Sequence, residues 1–177
     1  NYTLSLHDAL PILQNIDALN NNSILIAATN HHELLDPAIW RRFSTVVTLE
    51  RPNLEEIGQL LQLYLKQYPG NILRKNKKII LLEKAFDGFS HSDIKTTISN
   101  SVKTAIIKGR KEITVCDILK EIYFYKYHGV ENEEEYIRFL LKYGATHKEI
   151  DECLDISMRK VQDISKKMEG RRIKYGK

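Results

Sequence analysis

The chain has 177 residues, 42% of them apolar and 28% charged, with a formal net charge of +4; this is room for one medium or two small globular domains and excludes a low-complexity or disordered chain. No run approaches the roughly 18 consecutive apolar residues of a membrane span, so no membrane partner is expected. The two cysteines, Cys116 and Cys153, lie far apart in helical patterns without metal-ligand spacing; they predict core thiols of a reducing, cytoplasmic compartment and no metal site.

Taken in order, residues 5–12 (SLHDALPI) resemble one reading frame of a common sequencing-library adaptor translated as coding sequence. Residues 1–12 are therefore set apart as an artefact, and the remainder reads as a fragment whose upstream half is missing. Residues 13–19 predict the tail of a helix and Asn20 to Asn22 a connection. Residues 24–28 (ILIAA) form an uninterrupted apolar run, the pattern of a strand buried on both faces of a parallel sheet. The run stops at Thr29 and Asn30, at the carboxyl end of the strand, where open α/β sheets collect ligands. Asp36 and Pro37 supply a cap and a first helical residue for a turn that delivers Arg41 and Arg42 next to Phe43. Residues 45–49 predict a second, β-branched strand, and Pro52 marks a boundary.

A strand ending in A-T-N, followed by L-D-x-A-hydrophobic-x-R-R-F, resembles the second half of the nucleotide-binding core of AAA-type ATPases. The resemblance implies that Asn30 is the sensor 1 residue, which orients the attacking water near the γ-phosphate. It further implies that Arg42, and with it Arg41, are finger arginines reaching a neighbouring subunit's nucleotide. Many members separate the two arginines by Pro-Gly; here they are adjacent. A guanidinium fixed against the transferring phosphoryl group is worth about 10³ to 10⁵ in rate, and a neutral amide holds water without adding a competing charge. The implied cofactors are ATP and magnesium, and the implied partners are further copies in a homo-oligomeric ring and a protein or nucleic-acid client. No G-x-x-x-x-G-K-[ST] loop and no apolar run ending in Asp-Glu is present. The fragment by itself is thus expected to be inactive.

Beyond Pro52 the pattern turns helical. Asn53 with Glu56 forms a capping-box pattern, followed by Leu54, Ile57, Leu61, Tyr64 and Tyr68 at helical spacing; Pro69 and Gly70 end it. A basic loop from Arg74 to Lys78 precedes a short helix over residues 79–86. The segment GFSHSDIKTTISNSVKTAI then resembles the family's G-x-S-G-A-D motif opening a lid helix. Gly88, Ser90 and Asp93 match, while His91 and Ser92 stand where Gly-Ala is usual. In the family this turn lies against the adenine, which assigns Gly88, His91, Ser92 and Asp93 to the base. Ile94, Ile98, Val102 and Ala105 make one stripe ended by Gly109. Thr114 with Asp117 opens another capped helix.

Charge is unevenly placed. Eleven Lys or Arg face three acids between Lys66 and Lys111, and eight face two from Ile156 onward, with the acidic run Glu131 to Glu135 between. Residues 136–143 predict a helix closed by Gly144, Thr146 with Glu149 a second capping box, and Ser157 the cap of a last helix after a turn at Asp155. The pattern G-x-T-x-x-E-I-x-x-x-L-x-I-S-x-x-x-V resembles a helix-turn-helix. DNA bound through residues 145–172 would meet Met158, Arg159, Gln162 and Asp163 at base edges and Lys166, Lys167, Arg171 and Arg172 at phosphates.

The expected fold is an α/β remnant of a parallel-sheet P-loop NTPase core (13–51), an all-α lid (52–128) and a small helix-turn-helix-like unit with a basic tail (129–177). The expected function is that of an AAA-type ATP-hydrolysing remodeller. The alternative is a DNA-binding regulatory protein acting through its last helices. A sheet fragment with open edges further predicts aggregation when expressed alone.

Overall fold

A computed structural model describes residues 6–19, 22–68, 72–74 and 76–175. The chain divides into two compact units, Asn1–Leu49 and Glu50–Lys177.

In the first unit, helix α1 runs over Leu6–Asp17 with Pro11 inside it, so the adaptor-like residues continue into the same helix as residues 13–17. A 3₁₀ turn follows at His32–Leu34, and then the four-residue helix α2, Pro37–Trp40. The predicted sheet is not formed: among the described residues there is no strand, and residues 24–28 and 45–49 are irregular. Ile24, Ile26 and Leu49 are 91%, 86% and 90% exposed. The physical reason is that a parallel strand takes both its hydrogen bonds and its burial from neighbours. Neither run has a ladder partner among the described residues, so a pattern suited to a covered strand stays uncovered. The α/β expectation is corrected accordingly to an all-helical structure for the described residues.

The second unit contains helices α3 (Leu54–Leu65), α4 (Asn76–Phe86), α5 (His91–Ile107), α6 (Val115–Tyr127), α7 (Glu133–Lys142), α8 (His147–Leu154) and α9 (Met158–Tyr175), with a 3₁₀ turn at Ile72–Arg74 before α4. Their starts are written locally. Asn53 with Glu56, Ser90 with Asp93, Thr114 with Asp117 and Thr146 with Glu149 all form reciprocal capping boxes, each satisfying two backbone donors that the first turn leaves open. Part of the predicted basic loop is helix instead, because α4 begins at Asn76. Pro69 and Gly70 lie outside the described residues.

Their stops are equally local. Gly109 (φ 70°) follows α5, Gly144 (φ 98°) follows α7, and Asp155 (φ 56°) adopts the left-handed conformation between α8 and α9. At Gly144 a Cβ would stand 2.9 Å from Leu81 Cδ1. Gly144→Ala is therefore expected to destabilise the unit by roughly 1 to 3 kcal/mol, the cost of a non-glycine residue held in a sparsely populated backbone region. Thermal unfolding checks it.

One apolar core runs through the unit. Leu61, Ile98 and Ile122 share it with Ile137, Leu140, Ile150 and Val161, so the last three helices close over the same interior as α3–α6. Tyr123 stacks against Tyr127, Tyr136 and Phe139 at ring distances of 4.6, 4.5 and 5.2 Å, which joins α6 to α7. Polar ties reach α8: Lys78 Nζ lies 2.6 Å from Glu149 Oε1, and Lys108 Nζ donates to the Cys153 carbonyl at 2.9 Å. The Asp117 carboxylate, 2% exposed, accepts from the Arg110 guanidinium with both oxygens, from the Thr114 amide and hydroxyl at 2.8 Å each, and from the Cys153 thiol at 3.4 Å. Both cysteines are buried and free.

Candidate nucleotide site

In the first unit Thr29 Oγ1 accepts the His31 amide at 3.0 Å, which turns the chain immediately beside Asn30 and leaves Asn30 exposed. Asp36 accepts the Ala38 amide at 2.7 Å as the cap of α2, with Pro37 in the first turn. Ile39 is the residue of α2 that is buried, and that anchor leaves the following arginines facing out. Arg41 is exposed.

Arg42 is engaged. Its Nε and Nη2 donate to the two carboxylate oxygens of Asp17 at 2.7 and 2.8 Å, and Nη1 donates to the Ala38 carbonyl at 2.9 Å. This is a bidentate fork on the end of α1, a geometry that ammonium groups cannot reproduce. Hydrogen bonding from Arg42 holds the Asp17 carboxyl below its ordinary value, and the same pair raises Arg42. Among the described residues no hydrogen bond joins Asn30 to Arg41 or Arg42. Asp17 gives no signal in the sequence as a partner, since it lies 25 residues before Arg42 at the end of a helix with no distinctive motif.

In the second unit the turn over residues 87–93 brings several predicted residues together. Gly88 has φ 84°, which a side chain would oppose, and Phe89 is buried beneath it. Ser90 caps α5: Asp93 donates its amide to Ser90 Oγ at 3.1 Å, and the Asp93 carboxylate accepts the Ser90 amide at 3.2 Å and hydroxyl at 2.7 Å. Those bonds from Ser90, with a further one from Tyr125, hold the Asp93 carboxyl below its ordinary value. His91 and Ser92 are exposed on the first turn of α5. Asp93 is thus primarily a cap, and His91 and Ser92 are the members of the set open to a ligand. Three residues with no motif also meet this turn: Arg51, Tyr125 and Lys126.

At the other end of the unit, Met158, Arg159, Gln162, Asp163 and Lys166 are exposed along one side of α9. Lys160 pairs with Glu133, and Lys167 lies 3.7 Å from Glu134. The side chains of Arg171 and Arg172 lie outside those described. Among the described residues no group of three or more His, Cys, Asp or Glu side chains could hold a metal ion, and no helix is long and apolar enough to cross a membrane.

An arginine-bearing turn follows the A-T-N segment in the first unit, and a capped G-F-S turn opens a helix of the second. Comparison with curated proteins supports an AAA-type ATPase region. The chain is 35% identical over 98 residues, 55% of its length, to an uncharacterized AAA family ATPase of Sinorhizobium fredii, covering 28% of that protein. It is 32% identical over 120 residues, 67% of its length, to the proteasome-activating nucleotidase of Saccharolobus solfataricus, covering 30% of that protein. It is 31% identical over 131 residues, 72% of its length, to the proteasome-activating nucleotidase of Methanothermobacter thermautotrophicus, covering 31% of that protein. The chain thus spans less than a third of the length of these curated relatives. No protein-family profile matches it, and no solved structure matches it. The helical second unit is consistent with the C-terminal lid of such an ATPase.

Proposed function

We infer that this chain is the sensor-and-lid part of an AAA-type ATPase that hydrolyses ATP with magnesium as a homo-oligomeric ring and remodels a protein client. The observation that carries the reading is the placement of Arg42 at the end of a capped turn anchored by Ile39, where its guanidinium pairs here with Asp17 and the Ala38 carbonyl, a pairing that opens for it to reach a phosphate. In this reading Asn30 orients water at the γ-phosphate, Arg42 meets the nucleotide of the adjacent subunit with Arg41 beside it, and the Gly88 to Asp93 turn faces the base.

The chemistry follows from charge. ATP supplies the phosphoryl group and magnesium neutralises its oxygens when bound. The chain's own residues hold the water with an uncharged amide and place one permanent cation against the equatorial oxygens. Binding of DNA through residues 145–172 is not part of the reading. Lys160 of α9 pairs with Glu133 and Lys167 lies 3.7 Å from Glu134, and the acidic start of α7 reduces the positive potential that phosphates require.

Steady-state turnover by the complete protein tests the proposal. Asn30→Ala is expected to lower kcat by about 10²-fold or more, the usual cost of removing one preorganised polar group from a charge-developing site, with little change in KM. An unchanged kcat would remove the sensor assignment.

A further inference from the structure

Arg51 is not among the residues that the motifs single out, yet it reaches the same turn as they do. It lies on the segment preceding α3, and its backbone is restricted by the following residue, Pro52, which is itself buried. From there its Nη1 donates to the carbonyl of Gly88, across 37 residues of sequence. From α6, Lys126 Nζ approaches the neighbouring carbonyl of Asp87 at 3.4 Å and stands 5.3 Å from the centre of the Phe89 ring. Tyr125 completes the set. Its ring lies 4.2 Å from that of Phe89.

Two consecutive carbonyls, Asp87 and Gly88, are thus held by cations from two different elements. The next two residues are fixed by other means: the Phe89 amide donates to the Phe86 carbonyl at 3.0 Å, and Ser90 is locked in its capping box. Gly88 in the left-handed region has no side chain to restrain it, and nothing stands within 4 Å of the position a Cβ would take. An unrestrained glycine there would give the turn freedom that ligand binding must remove. The Arg51 contact acts at that residue.

We propose that Arg51 is a positioning residue for the nucleotide: by holding the Gly88 carbonyl it pre-sets the turn that presents His91 and Ser92 to the base. The inference rests on the nucleotide reading of the Gly88 to Asp93 turn. Preorganisation of this kind acts on ground and transition states alike, so it moves KM and leaves kcat in place.

The test is steady-state ATP hydrolysis by the complete ATPase carrying Arg51→Ala and, separately, Arg51→Lys. Arg51→Ala is expected to raise KM for ATP about tenfold, the size associated with one charge-assisted hydrogen bond, with kcat within about twofold of wild type. Arg51→Lys, which keeps a donor and a charge, is expected to recover most of the loss. Amide hydrogen exchange over residues 88–92 is expected to accelerate in Arg51→Ala alone. An unchanged KM in an active wild-type background, with or without faster exchange, overturns the positioning role and leaves the ATPase reading standing. Absence of turnover in the wild type overturns the ATPase reading and the proposal with it.

Discussion

Arg42→Ala is expected to lower ATP turnover of the complete oligomer by about 10³-fold or more, at the lower end of what a finger arginine contributes to phosphoryl transfer. On the proposed reading the effect would be large because a finger guanidinium acts where negative charge develops on the transferring phosphoryl group. It is also expected to act across subunits. Mixing Arg42→Ala subunits with subunits that have a disabled phosphate loop and an intact Arg42 restores turnover, since each supplies what the other lacks at a shared interface. Arg42→Lys does not restore it, because a single ammonium cannot reproduce a planar fork. Turnover unchanged in Arg42→Ala would show that the cation has another purpose. A loss that mixing cannot rescue would confine its action to its own subunit.

The largest stability effect is expected at Asp117. This carboxylate receives donors from Arg110, Thr114 and Cys153, tying the start of α6 to the loop before it and to α8. Asp117→Ala removes a helix cap and strands the Arg110 guanidinium, whose side chain is 23% exposed. Breaking one side of such a buried pair costs about 3 kcal/mol once the partial exposure of Arg110 is allowed for. This corresponds to a fall in Tm of roughly 10 °C for a unit of this size.

The sign of its pH dependence follows from the same contacts. Burial pushes the Asp117 carboxyl up, but the Arg110 guanidinium and the Thr114 donors outweigh it, and the folded value lies below the ordinary 3.8. The unfolded chain therefore takes up this proton first. The stabilisation is fully present above about pH 4 and is lost as pH falls through the lower, folded value. Wild-type Tm is expected to drop over that acid range, and Asp117→Asn is expected to start lower and to show a shallower drop. Parallel acid limbs in the two proteins would contradict the assignment.

What could be read in advance divides along physical lines. The helices of the second unit were legible because their signals are local: Asn53 with Glu56, Thr114 with Asp117 and Thr146 with Glu149 lie within one turn, and Gly109, Gly144 and Asp155 stop helices by their own backbone preferences. The runs at 24–28 and 45–49 were legible as apolar, but not as irregular. A strand is a property of a pair of segments, and one sequence shows only its own half of that pairing. The candidate site shows the same split. Asn30, Arg42 and the Gly88 to Asp93 turn carry motif signals, whereas Asp17 and Arg51 act over separations of 25 and 37 residues and carry none.

On the proposed reading the Arg42 fork leaves Asp17 to meet a neighbour's terminal phosphate. The most direct measurement of this is the distance from the Arg42 guanidinium to the γ-phosphate in a structure of the complete oligomer bound to a non-hydrolysable ATP analogue. Hydrogen-bonding contact with the adjacent subunit's nucleotide is expected in at least one protomer, with Asn30 facing the same phosphate from the nucleotide's own subunit. Arg42 still paired with Asp17 in every protomer, and remote from every phosphate, would contradict it.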